Sequence, residues 1–237
     1  MTVLLTRPEE DSVRIAAQLT KAGIDSLIWP LMQIRSVGDG IEIPDGTQAL
    51  LVTSAHAVRC AAEAGVSRDL PVFCVGTRTA EICRDAGFAT VHDAAGTAAD
   101  LVQVVETSGL TRFFYLRGHQ VSTDLVATFA ETNIQLNEKI VYRADPATQI
   151  APDAADALLA GRIAAVTVWS ARQAVILGNF AGLNPGWRLE STDLVAISDR
   201  AAGVLEKTGF RRILVASRPD ADAMVSLISA AVRQKAD

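Results

Sequence analysis

Short apolar runs recur along the chain, at residues 3–5, 27–29, 49–52, 72–75, 113–116, 165–168, 194–197 and 213–215. Runs this brief, rich in Val, Ile, Leu and Phe and bounded by turn residues, predict strands covered on both faces. The stretches between them are helical in pattern. Ile15, Ala16, Leu19 and Ala22 fall on one face, with Gly23 placed to end that helix as a left-handed cap. Met224, Leu227, Ile228 and Ala231 repeat the spacing near the other end, with Asp220 available as N-cap. Strands alternating with helices predict parallel sheets in an α/β architecture. Two stretches depart from this: LMQIRSV (31–37) and KIVYRA (139–144) alternate apolar with polar residues, as exposed strands do.

The pattern is also written twice. LLTRPEEDSVRIAAQL from Leu4 resembles YLRGHQVSTDLVATF from Tyr115, setting Arg7 against Arg117. VTSAHAV and VWSARQAV align Ser54 with Ser170. FCVGTRTAEICRDAGF, ending at Phe88, matches VAISDRAAGVLEKTGF, ending at Phe210, and TAADLVQVV from Thr97 matches DADAMVSLI from Asp220. Four pairs in one order, with slowly drifting offsets, predict an internal duplication. On length alone the split would be a tandem one, 1–109 and 110–237. The long connections between the first and second units of each repeat also allow the first units to be exchanged.

Composition narrows the class. The chain of 237 residues is 49% hydrophobic and 21% charged, a globular balance with enough length for a substantial core. A net charge of −5 argues against general affinity for nucleic acid or an acidic membrane surface. Cys60, Cys74 and Cys83 form no CxxC and read as buried free thiols rather than a disulfide frame or zinc site. His56, His92 and His119 are scattered, without ligand spacing. No strand is followed by GxGxxG, and GxxxxGK[ST] and GxSxG are absent, which removes dinucleotide, P-loop and nucleophile-elbow readings. The opening residues are too brief an apolar run for a signal segment and no run reaches membrane-spanning length, so a cytoplasmic protein is expected.

VLLTRPEEDSVRIAAQLTKAG, WPLMQI, LLVTSAHAV, CVGTRTAE, FYLRG and IVYRADP, in this order over nearly the whole chain, resemble uroporphyrinogen-III synthase. The resemblance implies two similar parallel-sheet α/β domains of flavodoxin or Rossmann type, joined by a two-stranded β ladder with a cleft between. It implies that the first βαβ unit is exchanged into the C-terminal domain. The domains would then be 1–35 with 146–237, and 38–138, with the ladder at 31–37 and 139–145. The implied reaction cyclises hydroxymethylbilane with loss of water and inversion of ring D, giving uroporphyrinogen III. No cofactor or metal is expected, and the only partner is the small-molecule substrate, a linear tetrapyrrole polycarboxylate met by a monomer with no nucleic acid or membrane involved.

Such a substrate needs donors spread over strand-to-helix turns, where free N–H groups and the positive dipole end lie. Thr6, Arg7, Ser54, Gly76, Thr77, Arg117, Gly118, Ser170, Ser198 and Arg200 sit at these turns and are the expected substrate-binding residues. Arg78 and Arg172 lie beside them. The arginines could offer forked hydrogen bonds to carboxylates or serve as ordinary ion-pair partners. Tyr142 matches the family's tyrosine position and is the expected catalytic acid, since a phenol donates a proton without carrying charge. Orientation of the chain for closure would supply the rest. Where the family often shows Gly-Pro-Thr-Thr-Ala, this chain has Ser198-Asp199-Arg200-Ala201-Ala202, so Ala201 lacks the hydroxyl that Thr79 keeps in the other half. The competing reading is a non-catalytic two-domain clamp for a small anionic ligand.

Overall fold

The computed structural model describes residues 2–38, 40–94, 96–121 and 123–236. The chain opens with β1 (Thr2–Leu5), α1 (Glu9–Lys21), β2 (Asp25–Ile28) and β3 (Met32–Ser36). It continues through β4 (Ala49–Val52), α2 (Ala55–Glu63), β5 (Val72–Val75), α3 (Thr77–Asp85), β6 (Val91–Ala94), α4 (Ala98–Thr107), β7 (Arg112–Gly118), α5 (Leu125–Phe129) and β8 (Gln135–Pro146). It ends with α6 (Pro152–Leu159), β9 (Ile163–Val168), α7 (Ala171–Leu183), β10 (Asp193–Ala196), α8 (Asp199–Gly203), β11 (Arg212–Val215) and α9 (Ala221–Ala236). Two compact units result: Met1–Gln33 with Asp145–Asp237, and Ile34–Ala144.

In the first unit the sheet runs β11-β10-β9-β1-β2, parallel at every pairing. The tandem split is therefore replaced by the exchanged one, because β1, paired on one side with β2, finds its other partner in β9 rather than in β4 to β7. Both faces are covered, which is why the strands read as unbroken apolar runs. Leu4, Val166, Leu194 and Ala196 point to a core shared with α6, α7 and α8, whereas Val3, Leu5 and Val195 point to one built with α1 and α9 through Ile15, Leu19, Met224 and Ile228. Each fully buried Leu or Ile contributes roughly 1.5–3 kcal/mol. The first helix ends where glycine permits a left-handed turn, Gly23 having φ of 74°.

The second unit contains a six-stranded sheet, β3-β8-β7-β4-β5-β6. Leu50, Val52, Val72, Cys74, Phe114 and Leu116 pack toward α2 and α3; Leu51, Phe73, Phe113 and Tyr115 pack toward α4 and α5 with Leu101, Val105 and Phe129. The sequence repeats equate β1 with β7, β9 with β4 and β10 with β5, and the next strand of each set equates β2 with β8 and β11 with β6. Under that pairing the sheets read β2-β1-β9-β10-β11 and β8-β7-β4-β5-β6, the same spatial order twice. The second sheet adds β3 at its edge, beside β8. Strand β8 spans twelve residues, longer than the KIVYRA stretch that announces it.

Candidate active site

In sheets of this kind ligands bind beyond the carboxyl ends of the strands, where the strand order reverses. In the second unit that point lies between β4 and β7, and Ser54, Gly118 and Tyr142 meet there. Ser54 follows β4 in extended conformation and caps α2, its Oγ accepting the His56 N–H at 3.2 Å. Tyr142, on β8, pairs in register with Gly118 at the end of β7 and donates from Oη to Ser54 Oγ at 3.0 Å. The reason for glycine at 118 is spatial rather than conformational: a Cβ there would lie 2.6 Å from Tyr142 Cζ and 2.8 Å from Oη. Gly118, expected to meet substrate, is the seat of the tyrosine ring. His56 packs against that ring at 5.5 Å between centroids. Burial pushes the Tyr142 phenol above its ordinary value, opposed by the bond to Ser54, so it holds its proton at neutral pH.

On the α4 and α5 side of the same sheet a cavity of about 270 Å³ opens, lined among others by Thr53, Val75, Gly96, Thr97, Tyr115 and Thr123. Thr53 Oγ1 and Tyr115 Oη are hydrogen-bonded at 2.9 Å, and burial raises the Tyr115 phenol as well. Sequence reasoning missed these residues. Tyr115 is hidden inside an apolar strand run, and the usable signal was that Thr53 stands between a strand end and a helix cap.

The helix N-termini differ in what they offer an anion. α2, α3 and α7 have no acidic residue in their first turns, leaving their dipole ends uncompensated. Ser170 caps α7 by accepting the Gln173 N–H at 3.2 Å, repeating the Ser54 arrangement. Gly76, with φ of 84°, opens α3 without any side-chain cap, and Thr77 is its exposed first residue. α4 is closed by its own carboxylate, Asp100 accepting from the Thr97 N–H and hydroxyl, both at 2.7 Å. Among the residues expected at the site, Thr6, Arg7, Ser198 and Arg200 occupy less receptive turns. α1 begins with Glu9, Glu10 and Asp11. The Thr6 side chain is fully buried, its hydroxyl donating to the Thr167 carbonyl at 2.6 Å, so it presents no hydroxyl to a ligand. Arg7 donates to Asp11 at 2.7 Å and lies 4.7 Å from the Trp169 ring centroid. Ser198 caps only the five-residue α8, which starts with Asp199 and carries exposed Arg200.

Arg117 requires a correction of the carboxylate-docking expectation. Its Nε and Nη2 donate to the two oxygens of Glu138 at 2.7 and 2.6 Å, and Nη1 donates to the carbonyls of Gly118 and His119. The forked geometry that suits a substrate carboxylate is filled by the protein's own. At the matching point of the first unit, between β1 and β9, the polar groups also face inward: Gln173 Oε1 accepts the Trp169 N–H at 2.8 Å and its Nε2 donates to the Thr6 carbonyl at 3.3 Å. Among the described residues no three His, Cys, Asp or Glu side chains converge as a metal cluster would require, and no helix is long and apolar enough to cross a membrane.

Comparison with known proteins bears on family and fold. A curated relative, the uroporphyrinogen-III synthase of Chlorobaculum parvum, is 24% identical over 251 residues, covering 98% of this chain and 99% of that one. The crystal structure of uroporphyrinogen-III synthetase from Helicobacter pylori 26695 superposes with a TM-score of 0.62 at 16% identity, covering 97% of this chain and 98% of that chain, and so shares the fold. The family model described as Uroporphyrinogen-III synthase HemD matches residues 13–226, and with nearly the whole molecule inside that match, this chain belongs to the uroporphyrinogen-III synthase family.

Proposed function

We propose that this protein is a uroporphyrinogen-III synthase, converting hydroxymethylbilane to uroporphyrinogen III by loss of water, ring closure and inversion of ring D. The observation that carries the reading is the neutral phenol of Tyr142, seated on Gly118 and bonded to Ser54 where the strand order reverses. A protonated phenol at this site can supply the proton that a departing hydroxyl needs for azafulvene formation, and is uncharged when the polyanion binds. The acetate and propionate groups of the substrate would be met by backbone N–H groups at α2, α3 and α7, through Ser54, Gly76, Thr77 and Ser170 and their neighbours. Dehydration and cyclisation neither oxidise nor reduce the substrate, so these side chains and amides suffice and the reaction runs without a cofactor. Cytoplasmic residence fits the three cysteines, all buried free thiols.

The test is an isomer-resolved assay with hydroxymethylbilane generated in situ. The type III isomer is the expected product. Type I alone, formed at the rate seen without protein, would leave a binding clamp in its place. Tyr142→Phe should lower kcat about 10²-fold while KM changes little, and a matching loss of product affinity would instead assign the ring to packing.

A further inference from the structure

The hydrogen bonds around Ser54 fix which hydroxyl faces outward. Ser54 Oγ accepts twice, from Tyr142 Oη at 3.0 Å and from the His56 N–H at 3.2 Å. A serine hydroxyl has two lone pairs and one proton. Both lone pairs are therefore occupied from within the protein, and no described residue accepts the serine's own proton. The Tyr142 proton points at Ser54, not away from it.

From this, and resting on the synthase reading above, we propose that Ser54 is a catalytic residue that hands the proton to the leaving hydroxyl, and that Tyr142 acts behind it as the reservoir. In the step, the electron pair of the substrate's terminal pyrrole nitrogen forms a C=N bond, the ring double bonds shift, and an exocyclic C=C bond forms to the hydroxymethyl carbon as its C–O bond breaks. The departing oxygen takes the Ser54 proton and leaves as water, while Ser54 Oγ takes the proton of Tyr142 Oη. The phenolate recovers a proton through the same serine when the ring carbon at which the macrocycle closes loses its hydrogen. One proton is lent and one returned, and no oxidant or reductant enters. Gly118 holds the line straight by keeping the phenol against Ser54. The repeat supplies a contrast, since Ser170 caps α7 in the same way but its counterpart position carries no tyrosine bond.

Removing the serine also removes a helix cap, so the deciding variant is Ser54→Asn, whose amide oxygen can still accept the His56 N–H but which has no comparably labile proton. Expected is a loss of kcat of about 10²-fold, with KM within about twofold, an unchanged melting temperature, and no further loss when Tyr142→Phe is added, as for two members of one line. Wild-type kcat in Ser54→Asn, a loss confined to KM, or losses that multiply in the double variant would overturn the relay while leaving the synthase standing. Exclusive type I product from the unaltered protein overturns the synthase reading, and the relay with it.

Discussion

Tyr142 and Gly118 show how one residue's identity is dictated by another far away in the chain. A methyl group at 118 would meet the phenol ring at 2.6 Å, closer than any carbon contact tolerates, so Gly118→Ala must displace Tyr142 or open β7 from β8. The expected outcome is a fall in kcat of at least about tenfold, with a stability loss of about 1–3 kcal/mol, read from the isomer-resolved assay and a urea titration. Wild-type kcat in this variant would show that the phenol works from another position. The sequence made the tyrosine legible, because the motif around it is a recognisable one, but left the glycine among residues expected to touch substrate. Its true role depends on the β7–β8 register, which no local pattern encodes. Which of its two readings Arg117 takes was hidden for the same reason, since Glu138 lies across that same pair of strands.

Among the elements, the turns that look alike in sequence are distinguished by what closes them. Ser54 and Ser170 are both helix caps, which explains the repeated apolar-Ser-small pattern without reference to any ligand. Their surroundings then diverge. Gln173, only 4% exposed, ties β1 to β9 through the Trp169 amide and the Thr6 carbonyl. Gln173→Leu would leave the Trp169 N–H buried and unsatisfied, while the Thr6 carbonyl keeps its bond from the Leu31 N–H, and a destabilisation of about 1–3 kcal/mol is expected in a urea titration. A change below about 0.5 kcal/mol would mean that water takes over the bond to the Trp169 N–H. Most strands were legible from their apolar runs because both faces of each sheet are covered. β6 was not, because Val-His-Asp-Ala at the edge of its sheet is half polar. The first residues of β8 were missed for a related reason, being largely exposed and polar.

At the scale of the whole molecule, the duplication written in four sequence pairs reappears as two sheets of one spatial order. Its charge is managed locally. Asp193, 1% exposed, receives hydrogen bonds from Arg211 at 2.7 and 2.8 Å and from Arg212 at 3.3 and 2.7 Å. Burial pushes its carboxyl up, but the two guanidinium groups outweigh that and hold it below the usual carboxylate range. A depressed native value means that the stabilisation is present above the unfolded value of about 3.9 and is lost as pH falls through the native one. Asp193→Asn should therefore destabilise the protein at pH 7 by on the order of 2 kcal/mol, less than a fully enclosed pair because both arginines are about a third exposed. The gap between variant and parent should shrink in melts below about pH 4; a gap that stays constant with pH would remove the charge from the explanation. The pairing of β1 with β9 has its own consequence for biogenesis. A nascent chain emerges with its first strand able to pair with β2 alone, its other edge open until residues 163–168 have been made, whereas the intervening unit is contiguous and can complete itself beforehand. The leading βαβ segment must wait, with one edge of β1 unpaired, for the last third of translation to enclose it.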